Sequence, residues 1–269
     1  MAAPLGIIAG RGGLPGAVAA AVLASGRPVV QFAMTGMAQP IAGATVVPFP
    51  PYRIGTLVAG AKAHGVSDLL LVGQVDRPDL RVRFDLTTLR FIRLLLASGR
   101  GGDDNVMRRV TSALESLGFR VVSIAEVAPS LVAPAGQLGR HAPSPHSIAD
   151  IALGLSAVSV MGQLDIGQAV VVRKSRVIAV EAAEGTDAMI RRAGTLGARD
   201  GVLVKASKPQ QELRNDMPTV GMDTLEASIA AGLSTVAVAA GRVVLVDLQD
   251  MIRRADEAGV ALFGAERAL

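Results

Sequence analysis

Short apolar runs alternate with longer stretches of helical period through the first half of the chain. Residues 5–9, 28–32, 45–47 and 68–72 read as strands, because each is a brief run of Val, Ile, Leu or Phe between turn-forming residues. Helices are predicted over 14–25, 54–64, 85–97 and 104–117, followed by a strand at 120–124. Such alternation predicts a mostly parallel sheet covered by helices, a Rossmann-like arrangement. The second half has a different rhythm. Two apolar runs, 169–172 and 177–180, flank Arg173-Lys174-Ser175-Arg176 and predict a hairpin. Strands at 202–204, 236–238, 243–246 and 260–263 alternate with helices at 188–196, 225–231 and 249–258, which predicts a mixed sheet with helices. Ser147 with Asp150, and Asp223 with Glu226, have the spacing of helix-starting capping boxes.

Between the two halves the pattern breaks. Residues 129–146 hold Pro129, Pro134, Pro143 and Pro145 together with Gly136 and Gly139. The expected architecture is therefore two α/β domains joined by a Pro/Gly-rich linker: an N-terminal domain over 1–133, the linker over 134–146 and a C-terminal domain over 147–269.

Charge is unevenly shared between these halves. Residues 1–133 carry thirteen Lys/Arg against eight Asp/Glu, whereas residues 147–269 carry thirteen against fifteen. No acid precedes Asp68, although Arg11, Arg27, Arg53 and Lys62 do. A basic half suits an anionic ligand or an anionic membrane surface. Nucleic acid is not expected, because there is no dense basic tract, and Trp is absent with aromatics at 3%. The absence of cysteine excludes disulfides, thiol catalysis and thiolate-bound zinc. No apolar run reaches a membrane span, and the opening residues lack a signal-peptide pattern, so a cytoplasmic protein is expected.

Several motifs bear chemistry. Gly10-Arg11-Gly12-Gly13-Leu14-Pro15-Gly16 follows a strand and opens a helix, which suits either a phosphate-cradling turn or a plain tight turn. Pro15 and the missing acid some twenty residues on exclude the dinucleotide fingerprint. Asp103 and Asp104 after Gly101-Gly102 offer either oxygen ligands for magnesium or a helix cap. Gly185 and Thr186 at a helix start could receive an anion, and Thr186 could equally be the cap. The densest chemistry lies in Lys205-Ala-Ser-Lys208-Pro-Gln-Gln-Glu212-Leu-Arg214-Asn-Asp216-Met-Pro218-Thr219-Val-Gly221. Lysines give point charges, Arg214 a planar donor fork, and a carboxylate holds a hard cation or a water. Arginines 77, 81, 83, 90 and 93 interleave with apolar residues over 77–96, which suits a basic-faced core helix or contact with an anionic membrane and acyl chains.

Taken jointly, these residues resemble one family over nearly the whole chain. Its N-terminal and linker markers are matched by Gly6–Gly10 with Gly12, Gly13, Leu14 and Pro15, by Gly102-Asp103-Asp104, and by Gln137-Leu-Gly139. The C-terminal markers are matched by Asp165-Ile-Gly-Gln168, by Glu181 with Glu184-Gly-Thr-Asp-Ala-Met189, and by the run from Lys205 to Gly221. The family is the I-type UDP-2,3-diacylglucosamine pyrophosphatase of lipid A biosynthesis. The resemblance implies a two-domain, Mg2+-dependent hydrolase with its substrate held between the domains. The implied products are UMP and 2,3-diacylglucosamine 1-phosphate, with water directed to the sugar-side phosphorus. The family's catalytic aspartate before Pro-Thr-x-Gly maps onto Asp216. On this reading Asp216, Lys205 and Arg214 are catalytic. Gly10, Gly12, Gly13, Leu14, Gln74, Asp165, Gln168, Gly185, Thr186, Lys208 and Thr219 bind substrate. Metal ligation is assigned to Asp216, Asp103, Asp104, Glu181 and Asp187. Gln74 stands where the family pattern has Asn, and Gly101 replaces a basic residue. The expected partner is the lipid-linked UDP-sugar. Peripheral contact with the cytoplasmic face of the inner membrane and a homodimer are left open, as are a hydrolase of another nucleotide sugar and a non-catalytic nucleotide- or lipid-binding protein.

Overall fold

Two sheets organise the chain, as seen in a computed structural model that describes residues 2–50, 53–73, 87–88, 103–214 and 216–266, with 103–106 described as backbone. The chain divides into two compact units. One comprises Met1–Pro129 with Arg214–Asp216, the other Ser130–Leu213 with Met217–Leu269. Among the described residues, no helix is long and apolar enough to cross a membrane.

The first unit is built on strands β1 (Leu5–Ala9), β2 (Val29–Met34), β3 (Thr45–Phe49), β4 (Asp68–Val72) and β5 (Arg120–Val121). All pair in parallel, in the spatial order β3-β2-β1-β4-β5. This is a doubly wound order, with its switch point between β1 and β4. Helices α1 (Leu14–Ala24), α2 (Ile54–Ala63) and α3 (Asp103–Ser116) connect or flank these strands. Val18, Ala19 and Val22 fall on one face of α1 and are fully buried, as i, i+1, i+4 spacing requires. Phe32, Leu57, Leu69 and Leu114 anchor a core on another part of the sheet. The strand expected over 120–124 stops at Val121. Ser123 and Glu126 form a reciprocal capping box and start the short helix α4 (Ile124–Val127), so local capping overrides the apolar run.

In the second unit a six-stranded mixed sheet has the order β6-β13-β11-β9-β7-β8. Its strands are β6 (Gly136–Gln137), β7 (Ala169–Arg173), β8 (Arg176–Val180), β9 (Val202–Lys205), β11 (Thr235–Ala239) and β13 (Ala261–Ala265). Strands β9, β11 and β13 run parallel, and β7 is antiparallel to both β9 and β8. The β7–β8 hairpin turns through Lys174 and Ser175, both left-handed, at φ 51° and 60°. The Pro/Gly-rich stretch contributes structure of its own, since Gly136–Gln137 pairs with β13.

Three local expectations are corrected here. The run 243–246 does not join the large sheet; β12 (Val244–Leu245) pairs in parallel with β10 (Thr219–Val220), and Val244 also bridges to Val132. Helix α5 (Pro145–Gln163) starts before Ser147, capped by the Ser144 hydroxyl, which accepts from the Ser147 amide at 3.1 Å. Asp150 instead accepts from the Lys174 and Ser175 amides at 2.9 and 2.7 Å, filling the acceptor need of the hairpin turn. Helices α6 (Thr186–Thr195), α7 (Met222–Ala230) and α8 (Leu248–Ala258) complete the unit. Gly221 is the N-cap of α7, with no side-chain cap bond, and Glu226 pairs with Arg254 on α8 at 2.6 Å.

The amino end of the parallel sheet in the first unit is fastened by Asp68. Arg27 Nη2 and Arg120 Nη2 donate to its Oδ2 at 2.7 and 2.8 Å, and Arg120 Nε donates to Oδ1 at 2.9 Å. The Arg120 guanidinium, with Arg27 adding to it against the opposing effect of burial, holds the Asp68 carboxyl below its ordinary value of 3.8. A lowered carboxylate pKa gives stability that is fully present above the ordinary value and lost as pH falls through the lowered one. Asp68→Asn should therefore cost about 1 kcal/mol at neutral pH, with the loss shrinking under acid. Thermal melting of both proteins from neutral pH downward checks this; a gap that stays constant with pH would contradict it.

Candidate active site

Because β8 and β9 run the same way and β7 runs against both, three loops meet at one edge of the second sheet. They follow β8, follow β9 and precede β7, and they bring Glu181, Lys205 and Gln168 together. Ligands of open α/β sheets commonly sit beyond the carboxyl ends of the strands, and this edge is such an end for β9.

Lys205 closes β9 with only 6% of its surface exposed. Its Nζ donates to Thr186 Oγ1 at 2.8 Å and to the Thr219 carbonyl at 2.9 Å. Thr186 in turn donates to Glu181 Oε1 at 2.6 Å, and Glu181 Oε2 accepts from the Gln168 amide at 3.0 Å. A buried relay thus runs from Lys205 through Thr186 and Glu181 to Gln168. It joins four residues singled out from sequence, with Thr219 as a fifth. Buried polar groups are costly unless paired, and each of these has a partner. Gly167 permits the close approach on which the relay depends, since a Cβ there would lie 2.2 Å from the Glu181 carbonyl oxygen.

Thr186 is not the helix cap. Gly185 takes that position, at φ 81°, which frees the threonine hydroxyl for the relay. Asp187 in the first turn of α6 accepts from Thr224 Oγ1 at 2.7 Å, tying α6 to α7. At the same helix start, the guanidinium of Arg192 holds the Glu184 carboxyl below its ordinary range.

Beyond β9 the chain carries Lys208, whose Nζ pairs with Asp165 Oδ1 at 2.5 Å. The Lys208 amide donates to Gln211 Oε1 at 3.0 Å, and Gln211 Nε2 donates to Gln168 Oε1 at 3.2 Å. The end of α5 sets the position of this loop. A Cβ on Gly162 would meet Pro209 Cδ at 2.8 Å and Lys208 Cβ at 3.0 Å, and the Gly162 carbonyl accepts from Gln210 Nε2. Two participants were not anticipated as site residues. Gln211 orients both Lys208 and Gln168, and Arg242 Nε donates to the buried Ser207 hydroxyl at 2.7 Å. Gln211 lies inside the dense motif, whose concentration of charged side chains is the signal that could have marked it. Arg242 stands alone between strands, and no local pattern marks it.

The remaining candidates belong to the first unit or lie outside the described residues. Gly10, Gly12, Gly13 and Leu14 form the turn from β1 into α1 at the switch point of the first sheet. There the Gly10 amide donates to Val72 O at 2.9 Å and Gly12 has φ 97°. Among the described residues, no atom beyond the chain neighbours lies within 4 Å of a Cβ built on Gly12 or Gly13. Arg214 and Asp216 group with the first unit, where Arg214 Nη1 pairs with Glu115 Oε1 at 2.9 Å. Asp103 and Asp104 begin α3, with side chains outside the described residues. Gln74 and the basic-apolar segment 77–96, apart from residues 87 and 88, also lie outside them.

For a metal, the donor chemistry is restrictive. No group of three His, Asp or Glu forms a ready-made cage among the described residues. Glu181 has both oxygens in protein hydrogen bonds, and Asp187 has one. Magnesium, however, usually keeps several waters and is held by one or two carboxylates plus substrate phosphates, so a cage of three protein ligands is not required.

Comparison with known proteins gives matches along both units. The family model described as LpxI N-terminal domain matches residues 4–131, and that described as LpxI C-terminal domain matches residues 134–263. The chain is 37% identical to the UDP-2,3-diacylglucosamine pyrophosphatase LpxI of Caulobacter vibrioides, over 97% of each chain.

The relay makes a testable claim about stability. Lys205→Met and Thr186→Val should each cost about 1–3 kcal/mol, because each leaves a buried partner unpaired. The double variant should cost less than the two combined by at least about 0.5 kcal/mol, since both act through one hydrogen bond. Denaturant unfolding of the four proteins measures this, and strict additivity would remove the relay.

Proposed function

We propose that this chain, which belongs to the LpxI family, hydrolyses the pyrophosphate of UDP-2,3-diacylglucosamine to UMP and 2,3-diacylglucosamine 1-phosphate in lipid A biosynthesis. The observation that carries the reading is the similarity along nearly the full length to a relative named for that substrate. The buried relay, the lysine loop and the glycine turn at the switch point support it chemically.

Hydrolysis of a pyrophosphate needs in-line placement of water and stabilisation of charge on the phosphoryl oxygens. Water attacks the sugar-side phosphorus. The bridging P–O bond breaks, and UMP leaves with the bridging oxygen. In this reading Lys205, Lys208 and Arg214 hold phosphate oxygens. Lys205 acts from a fixed position, because Thr186 and the Thr219 carbonyl orient its ammonium. Lys208 exchanges Asp165 for phosphate on binding. The amide end of α6 at Gly185–Thr186 favours an anion through its dipole. The Gly10–Gly13 turn serves the nucleotide portion, and residues of both units contribute to substrate binding. Asp216 positions the attacking water and is the carboxylate that would hold Mg2+, with Asp103 and Asp104 as further candidates. The bound ion would supply charge neutralisation on the pyrophosphate oxygens. The reaction belongs on the cytoplasmic side, with peripheral contact at the inner membrane, where the lipid-linked substrate resides.

Asp216→Ala should lower kcat for UMP release by at least about a hundredfold with KM little changed, because water placement acts only in the transition state. Lys205→Ala should change both parameters. Steady-state assays with the diacyl substrate and magnesium, alongside thermal melting, make the comparison. A folded Asp216→Ala protein with near wild-type kcat would refute the assignment, and absence of UMP release from the wild type would refute the activity.

A further inference from the structure

Gln211 is 7% exposed, although Pro209 and Gln210 just before it are exposed. A primary amide is costly to bury unless its oxygen and its nitrogen both find partners. Here both do. Gln211 Oε1 accepts from the Lys208 amide at 3.0 Å, and Nε2 donates to Gln168 Oε1 at 3.2 Å. The Gln211 backbone amide also donates to the Lys208 carbonyl at 3.2 Å. One residue thus holds both the N–H and the C=O of Lys208, and Pro209 restricts the same stretch of backbone.

The chemistry demanded at position 211 is narrow. The Lys208 N–H needs an acceptor and Gln168 Oε1 needs a donor, and a carboxamide offers both on one planar group. An ionised glutamate would lack the donor, and a methionine would lack both.

The bond to Gln168 matters because that residue belongs to the Lys205 relay. The Gln168 N–H donates to Glu181 Oε2, Glu181 Oε1 accepts from Thr186, and the Thr186 hydroxyl accepts from Lys205 Nζ. The Gln168 carbonyl accepts from the Ala206 amide at 2.9 Å. An unbroken hydrogen-bonded path therefore leads from the Lys208 backbone through Gln211 and Gln168 to the Lys205 ammonium. The chain from Lys205 to Lys208 closes that path into a ring. Polar networks whose members are paired are rigid, so the ring gives the two lysines one frame.

We propose that Gln211 is a positioning residue, which fixes the backbone of Lys208 in the frame of Lys205 so that both ammonium groups engage one pyrophosphate; the assignment rests on the function proposed above. The Lys208 side chain exchanges Asp165 for a phosphate oxygen, while its backbone stays where Gln211 holds it. Gln211 acts through Lys208.

A comparison in two backgrounds separates this role from a merely structural one. Gln211→Met removes both side-chain bonds with a residue of similar length. Lys208→Met removes the ammonium but keeps the backbone N–H that Gln211 holds. Calorimetry measures binding of inorganic pyrophosphate, and steady-state assays measure UMP release, with thermal melting of all four proteins. With Lys208 present, Gln211→Met should lower pyrophosphate affinity and kcat/KM by about tenfold, the effect of misplacing one charge-assisted contact. In the Lys208→Met background the same change should alter either by less than about twofold, since its route to the ligand is gone. Its effect on Tm should be the same in both backgrounds, because the bond to the Lys208 amide is present in each. Gln211→Asn, a milder change that shortens the amide's reach, repeats the comparison where Gln211→Met fails to fold.

Equal functional losses in both backgrounds would overturn the proposal, since Gln211 would then act without Lys208. So would unchanged affinity in the Gln211 variants, or a wild type that binds no pyrophosphate. Binding is read without turnover. A chain that shows the coupling in binding but releases no UMP would refute the hydrolase reading and uphold the positioning of Lys208.

Discussion

An ammonium withdrawn from water must find acceptors, and the second unit is arranged around that requirement at Lys205. The side chain ends a parallel strand whose neighbours supply almost only apolar atoms. Its partners have to come from loops, and they do: a threonine at a helix start and the carbonyl that opens a two-residue strand. Satisfying the lysine therefore fixes the start of α6, the Glu181 carboxylate behind it and the pairing of β10. One charged group, placed by strand direction, sets the positions of three segments.

Much of the fold was legible because its elements are locally consistent. Leu5–Ala9 and Asp68–Val72 match their expected bounds, and the hairpin turn fell where Arg173–Arg176 interrupts two apolar runs. Failures came where a polar side chain had two possible employers. Asp150 has the spacing of a capping residue, yet it caps the hairpin turn, a partner twenty-four residues away that no local window contains. Asp223 and Glu226 have capping-box spacing too, but Glu226 faces Arg254 across helices and Gly221 takes the cap position. At Ser123 the same type of pattern does govern, and it ended a strand that hydrophobicity alone would have continued.

The candidate site divides along similar lines. Residue chemistry brought out Lys205 and Thr186, the family resemblance added Glu181 and Gln168, and strand direction then explains why they meet. The roles within the cluster were not readable. Glu181, an expected metal ligand, has its two oxygens on Thr186 and Gln168, and Thr186, weighed as a cap, is the hinge of the relay. Such roles depend on long-range register, which a one-dimensional pattern does not encode. Arg242 illustrates the limit, because its partner Ser207 lies thirty-five residues earlier.

The glycine contact at the end of α5 has a mechanical consequence. Gly154, eight residues earlier, is also pressed against the sheet, where a Cβ would meet Val204 Cγ2 at 2.5 Å. The helix thus rests on two bare points about 12 Å apart by its axial rise. A beam seated on two such points has little freedom to tilt, and a tilt of about five degrees about the first would carry the second by about 1 Å. Since the Lys208–Pro209 backbone bears directly on that second point, volume added at Val204 would be expressed as displacement of a lysine at the far end. Substitutions under the helix and in the lysine loop should therefore be tolerated in compensating pairs, an epistatic signature that distance along the sequence would not suggest.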